Sequence, residues 1–240
     1  VKLVVNWTPI HLESQLGSRV QNTEHYFSKA LTWTMSKSSG RRFGYLHQSS
    51  IFGHMGSVYI PSDHISSTLS YLNSHLFTYL MLSQTTERNW YVGLVSRIPW
   101  IDDLESNEEL DILSREAVGH LISKRQYDFV SPHYSEPVLL DVIGVSDPLP
   151  QYDHPHRELR DDLTLDKPTE TVDKSTALEQ LGRAAARHLE SVDSNLQTCA
   201  NAIDNAVFDC FDINGDQREI ILQEISLRTN KNPRKQEEYN

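Results

Sequence analysis

The sequence predicts an α+β protein: a β-rich front domain with a buried central helix, followed by a mostly helical, acidic C-terminal region. Three observations predict it. Leu31–Pro61 is a glycine-punctuated, aromatic-rich run of short apolar pulses, the pattern of strands joined by turns. Asp63–Ser83 (DHISSTLSYLNSHLFTYLMLS) is apolar-periodic with no Gly or Pro, the pattern of a helix buried on more than one side. Beyond residue 100 the aromatic residues thin out and good helix formers with acidic side chains take over.

Taken in order, Val1–Val5 is apolar enough for a strand, and a polar stretch through Tyr26 follows it. Asn22, Glu24 and Tyr26 near Arg19 form either a substrate-facing loop or an ordinary solvated one. Ser36–Gly44 is a turn by its Ser and Gly content and holds Lys37, Arg41 and Arg42. Cations on a small-residue loop flanked by Trp33 and Phe43 suit a DNA backbone or groove, because the guanidinium fork matches phosphate or a guanine edge. An Arg pair on a hairpin also serves simply to keep a turn soluble, and composition leaves both readings open. Ile51–Pro61 alternates apolar residues with Gly53 and Gly56, which suggests a bulge or close packing in a strand. Asp63 is the expected N-cap of one helix running to Leu82, with Asn73 bonding neighbouring backbone. The run Arg88-Asn89-Trp90 through Pro99 reads as a strand ending at a proline.

Residues 102–125 read as a helix with acidic beginnings and Lys124-Arg125 at its end, which complements the helix dipole. Prolines spaced from Pro132 to Pro168 make 129–174 an extended linker. Two helices are expected last, Ala177–Cys210 and Asp216–Arg228. The expected units are 1–100, 101–128, 129–174 and 175–240.

Charge divides where the aromatics do. Residues 1–100 carry 8 Lys+Arg against 4 Asp+Glu, and residues 101–240 carry 14 against 29. The total of −11 argues against nucleic acid, which needs clustered positive charge. A local basic face reverses that argument, and a protein acidic throughout for a salty cytoplasm escapes it. No stretch approaches the ~18 apolar residues of a membrane span, and no signal peptide is visible, so no membrane is expected and a cytoplasmic location is. Cys199 and Cys210 are eleven residues apart on one expected helix, roughly 16 Å, too far for a disulfide. The chain opens on Val in mid-pattern and reads as the C-terminal piece of a longer protein.

Catalytic motifs are not found: no glycine-rich phosphate loop, no nucleophile set and no paired carboxylates at metal spacing. Asp153-His154-Pro155-His156 invites a metal, but without a second ligand pair it reads as a solvated loop. Asp212–Asp216 begins like a calcium loop, yet positions six and twelve are Gln217 and Gln223, so a turn between helices is expected. Catalytic, cofactor and metal residues are therefore none, and the chain reads as a binding or specificity module.

Leu31-Thr32-Trp33, the Ser/Gly segment with Arg42-Phe43, the strand Ser50-Ile51-Phe52-Gly53, the helix with Tyr71-Leu72-Asn73-Ser74 and then Val92 to Pro99 occur in a telling order. That order resembles the segment downstream of the catalytic domain in large adenine-specific DNA methyltransferases. These are type IIG restriction–modification enzymes and, more closely, the PglX-like methylases of BREX phage defence. The resemblance covers about 31–99 well, and 1–30 and 196–230 loosely. It implies a parent that transfers a methyl group from S-adenosylmethionine to adenine N6, after the base is flipped from the duplex. The family's cofactor glycine motif and its Asn-Pro-Pro-Tyr/Phe motif do not occur here, so this chain is expected to be inactive alone. What carries over is target recognition. Thr32, Trp33, Gly44, Gly56, Asn73, Ser74, Gly93 and Pro99 match scaffold positions. Arg19, Lys37, Arg41, Arg42, Arg88 and Arg97 are the candidates for DNA contact. The partners implied are double-stranded DNA, a separate catalytic domain and other phage-defence proteins. The alternative is a helical interaction protein that docks a partner through Ala177–Arg228 and binds no DNA.

Overall fold

The computed structural model describes residues 22–35, 42–48, 50–52, 56–61, 63–85, 89–131, 133–144, 163–169, 171–173, 175–176 and 178–229. A short 3-10 turn, Thr23–His25, leads into the central strand β1, Ala30–Thr34. β2 (Phe43–Leu46) and β3 (Gly56–Tyr59) flank it, both antiparallel, in the order β2-β1-β3. Trp33 faces Phe43 on one side and Ser57 on the other, so the register brings large rings to one end of the sheet. Thr32 Oγ1 donates to the Ser57 carbonyl at 2.9 Å and ties β1 to β3 by a side chain as well.

The helix expected over 64–82 is two. α1 spans Ile65–Leu72 and α2 spans His75–Gln84. The interruption is chemical. Ser74 Oγ accepts the Phe77 N–H at 3.1 Å and so caps α2, while donating to the Tyr71 carbonyl. Asn73 does bond backbone, as expected: its amide donates to the Phe43 carbonyl at 3.1 Å and accepts the Phe43 N–H at 3.2 Å. It thereby copies a strand partner for β2. The cap of α1 is His64, in the left-handed region at φ 55°, and not Asp63.

A second difference follows at 92–95. The stretch expected as a strand forms α3, Val92–Val95. The Trp90 N–H donates to the Met35 carbonyl, fixing the chain at the end of β1. A turn then lets both Trp90 and Ile98 point inward. α4 (Asp102–Glu105) and α5 (Glu108–Arg125) follow, with Asn107 capping α5 through the Leu110 N–H. The single helix expected over 102–125 is thus two, broken at Ser106-Asn107. The longer starts at Glu108 with Glu108, Glu109 and Asp111 in its first turn, and Lys124 and Arg125 stand in its last turn as the sequence predicts. Within the expected linker lies a short helix, α6, Val138–Val142. α7 (Leu178–Cys210) and α8 (Gly215–Thr229) match the expected terminal pair. Asn214 and Gln217 cap α8 reciprocally, side chain to backbone, across the turn expected there.

The protein is mixed α+β but not β-rich: among the described residues, three strands and eight α-helices give about 58% helix. The reason is that the apolar pulses of 31–61 make only short strands, while 92–95 turns instead of pairing. One core joins the front to the back. Leu31, Trp33, Tyr71 and Phe77 pack in the same cluster as Leu110, Val207, Phe208, Ile221 and Ile225. Tyr71 stacks on Phe211 at 5.5 Å, and α8 lies against α2. Arg228 donates to the Leu82 carbonyl at 2.6 Å, a cation at the C-terminal end of α2 where the dipole favours it. Packing thus runs across the position near residue 100 where the charge divides. A smaller cluster, Val142 with Ala184 and Ala185, fastens α6 to α7.

Candidate nucleic-acid interface

The sheet's ring-bearing end is a four-ring corner. Phe43 lies 5.1 Å from Trp33, 5.4 Å from Phe77 and 6.2 Å from Trp90. The Trp33 indole donates to the Trp90 carbonyl at 2.9 Å, which locks the corner from within. Such ring pairs add about 0.5–1.5 kcal/mol each beyond burial, so the corner is rigid. Two chain segments leave it. One connects Met35 to Arg42, and its middle residues carry Lys37 and Arg41. The other connects Thr85 to Asn89 and carries Arg88; Thr85 Oγ1 donates to the Asn89 carbonyl at 3.3 Å. Since Trp90 is hydrogen-bonded to Met35, the described ends of both segments meet at one place.

Of the six expected DNA contacts, Arg19, Lys37, Arg41 and Arg88 lie outside the described residues. Arg97 is exposed in the turn after α3. Arg42 departs from the expectation. It is only 8% exposed, with its guanidinium 4.1 Å from the centre of the Trp90 ring. A cation–π contact of this kind holds the arginine inside the corner, where it braces the hairpin and does not face a phosphate.

Six cations of the helical part are matched by carboxylates. Arg115 pairs with Asp111, Arg125 with Asp128, Arg183 with Glu179, Arg218 with Asp209 and Arg228 with Glu224. Lys124 reaches Asp193 across helices at 2.6 Å. A phosphate approaching any of them competes with a carboxylate already in place.

Three buried or half-buried histidine contacts, not foreseen in the sequence, join the elements. Asp204 on α7 accepts both the His75 backbone N–H at 2.7 Å and the His75 ring at 2.5 Å, at the start of α2. Asp166 contacts His120 on α5 at 2.7 Å and accepts from Asn195 on α7 at 3.1 Å. Tyr127 donates to Asp141 at 2.5 Å and meets His188 at 3.1 Å. Burial, then the Asp141 carboxylate, pushes the Tyr127 phenol up, and burial pulls the His188 imidazole down. The partners of these three imidazoles are carboxylates and a phenol, and the contacts fasten helices to one another. Burial and the nearby Glu116 push the Cys199 thiol up to about 11, away from the thiolate that reacts. No group of three or more potential metal ligands occurs among the described residues, and His154 and His156 lie outside them.

A cleft of about 540 Å³ opens between β2, α1, α5 and the turn after α5, with Tyr45, Asn73, Leu121 and His133 in its lining. Beside it Phe129 is 81% exposed and Val130 72%. Sequence reading missed this cleft because its walls are far apart in the chain; the unpaired apolar dipeptide Phe129-Val130 was its one visible sign.

No protein-family model, curated protein or solved structure matches the chain. The likeness to adenine methyltransferases rests on the order of motifs alone.

Proposed function

We propose that this chain is the DNA target-recognition part of an S-adenosylmethionine-dependent adenine-N6 DNA methyltransferase, of the type IIG restriction–modification or PglX-like kind. The methylating domain and its cofactor belong to another part of the parent protein, and the present residues position it on duplex DNA. The observation that carries the reading is the convergence of two cation-bearing segments on one rigid corner. Successive Cα atoms are ~3.8 Å apart, so Arg41 is tethered one residue from Arg42 and Arg88 two residues from Trp90. Arg42 and Trp90 are themselves packed together. Residues 36–41 and 86–88, which carry Lys37, Arg41 and Arg88, thus begin and end at that corner, in a part of the chain with an excess of positive charge.

The experiment is binding of a labelled duplex over a salt series. Affinity should fall steeply with salt, and the triple variant Lys37→Ala/Arg41→Ala/Arg88→Ala should flatten the log–log slope by about 0.9 per lost phosphate contact. Arg115→Ala, which removes a cation already paired with Asp111, should leave the slope unchanged. No binding at low salt, or the same slope in the triple variant, sinks the proposal. One observation favours the second reading, a helical docking protein: Ile220 and Leu227, two turns apart on α8, are each 57% exposed. That reading expects no DNA binding at any salt.

A further inference from the structure

The outer edge of β2 meets the larger cleft with a pair of backbone groups left over from the ladder. In an antiparallel sheet, successive residues aim their N–H and C=O groups alternately at one neighbour and the other. Phe43 aims outward, since both of its groups bond the Asn73 side chain. Gly44, opposite Thr32, therefore aims at β1, and Tyr45 aims outward again. The Asn73 amide serves Phe43 alone. The N–H and C=O of Tyr45 have no hydrogen-bond partner among the described residues. Space at this edge is open: Gly44, which has only backbone to present, lines the cleft of about 540 Å³. A Cβ built on Gly44 would meet nothing within 4 Å.

Across the cleft stands α5, which contributes Val118, Leu121 and Ile122, and Val130 follows in the turn after it. Leu121 and Val130 are exposed there. Polar side chains of the lining are engaged within the protein: Ser70 donates to the Leu110 carbonyl, and Arg125 pairs with Asp128. One wall thus offers apolar side chains and the other an unpaired N–H and C=O. An extended peptide matches both, because its backbone pairs with a strand edge while alternate side chains enter the pocket. A small apolar molecule would fill the space but leave the two backbone groups unanswered. Charge adds a further requirement. Residues 108–128 carry five acids against three cations, and each of those cations is already paired with a carboxylate. We infer that an extended segment of a partner protein, apolar at alternate positions and flanked by Lys or Arg, adds to β2 at Tyr45 and lies between β2 and α5. The inference stands apart from the DNA reading, which concerns the segments at 36–41 and 86–88.

The probe is the labelled peptide Lys-Thr-Val-Thr-Val-Thr-Val-Thr-Lys, blocked at both ends and titrated into the whole chain by fluorescence anisotropy. Two further copies carry backbone N-methyl groups, one on every valine and the other on every threonine. Strand pairing uses the amides of one set only. One methylated peptide should therefore bind like the parent, and the other about 2- to 12-fold more weakly for each bond lost, as ~0.5–1.5 kcal/mol gives at ~1.4 kcal/mol per tenfold. Hydrogen exchange supplies a readout that needs no variant. In the free chain the Tyr45 amide should exchange fast and the Gly44 amide slowly, and the peptide should slow Tyr45. Leu121→Lys, at an exposed position, should weaken binding several-fold, and a Glu-flanked peptide should bind more weakly than the Lys-flanked one at low salt. A Tyr45 amide already protected in the free chain, no saturable binding, or equal affinity of the two methylated peptides overturns the inference. So does tighter binding of the Glu-flanked peptide, or Tyr45 protection that appears with protein concentration alone, which would make the occupant a second copy of this chain.

Discussion

The ring-bearing front of the molecule and its helical back handle charge in opposite ways. In front, the one described arginine of the hairpin is drawn inside and laid over Trp90, and its neighbours in sequence are cations with no carboxylate beside them along the chain. At the back, arginine after arginine is answered by an acid within a turn or two of helix. Yet both regions share one apolar core, in which Tyr71 and Phe77 meet Val207 and Phe208. The lesson is that a difference in surface charge need not mark a difference in folding unit.

Removing Phe77 tests that lesson hardest. Its side chain is 1% exposed and touches three other rings, so Phe77→Ala should cost about 3–5 kcal/mol. Urea unfolding followed by tryptophan fluorescence (all four tryptophans fall within residues 1–100 of the sequence) and by helical circular dichroism (mostly from the back) should shift together. Two separate transitions would show that the regions fold apart.

Asp204→Ala comes next, because it strikes the clamp between them. It leaves the first N–H of α2 and the His75 ring without their carboxylate, and a loss of about 1.5–3 kcal/mol is expected. Asp204→Asn, which keeps one acceptor, should recover part of the loss.

Gly119→Ala probes how the segment at 163–169 lies on α5. A Cβ at residue 119 would come within 2.6 Å of the Thr164 carbonyl oxygen, so that backbone must move. A cost of about 1–3 kcal/mol is expected, with faster hydrogen exchange at Asp166, whose N–H donates to Ser123. The smallest effect belongs to Arg115→Ala, which breaks an exposed pair one turn apart on α5 and should change stability by no more than ~0.5 kcal/mol. A larger loss there would mean the back relies on its ion pairs more than its core does.

Much of this was legible locally. The terminal helices, the basic last turn of α5 and the backbone-binding role of Asn73 follow from residues within a turn or two of one another, whereas the break that makes Asn107 the cap of α5 was not read. The break at Asn73-Ser74 had its signal too, since a serine before a new apolar run is an N-cap. Less legible was 92–95, whose apolar residues fit a strand until the sheet is known to end with β3 on that side. The candidate site divided likewise: a basic hairpin could be read from Lys37, Arg41 and Arg42, but not that Arg42 turns inward, since that depends on Trp90, 48 positions away.

By itself, then, the sequence determined what depends on near neighbours: helical periodicity, capping, and the sign of charge in each half. Only the tertiary structure decided which arginine is buried, which strand edge faces a cleft and which carboxylate clamps α2 to α7. Those outcomes are set by contacts between residues tens to more than a hundred positions apart, such as His75 with Asp204, and no local pattern encodes such a meeting.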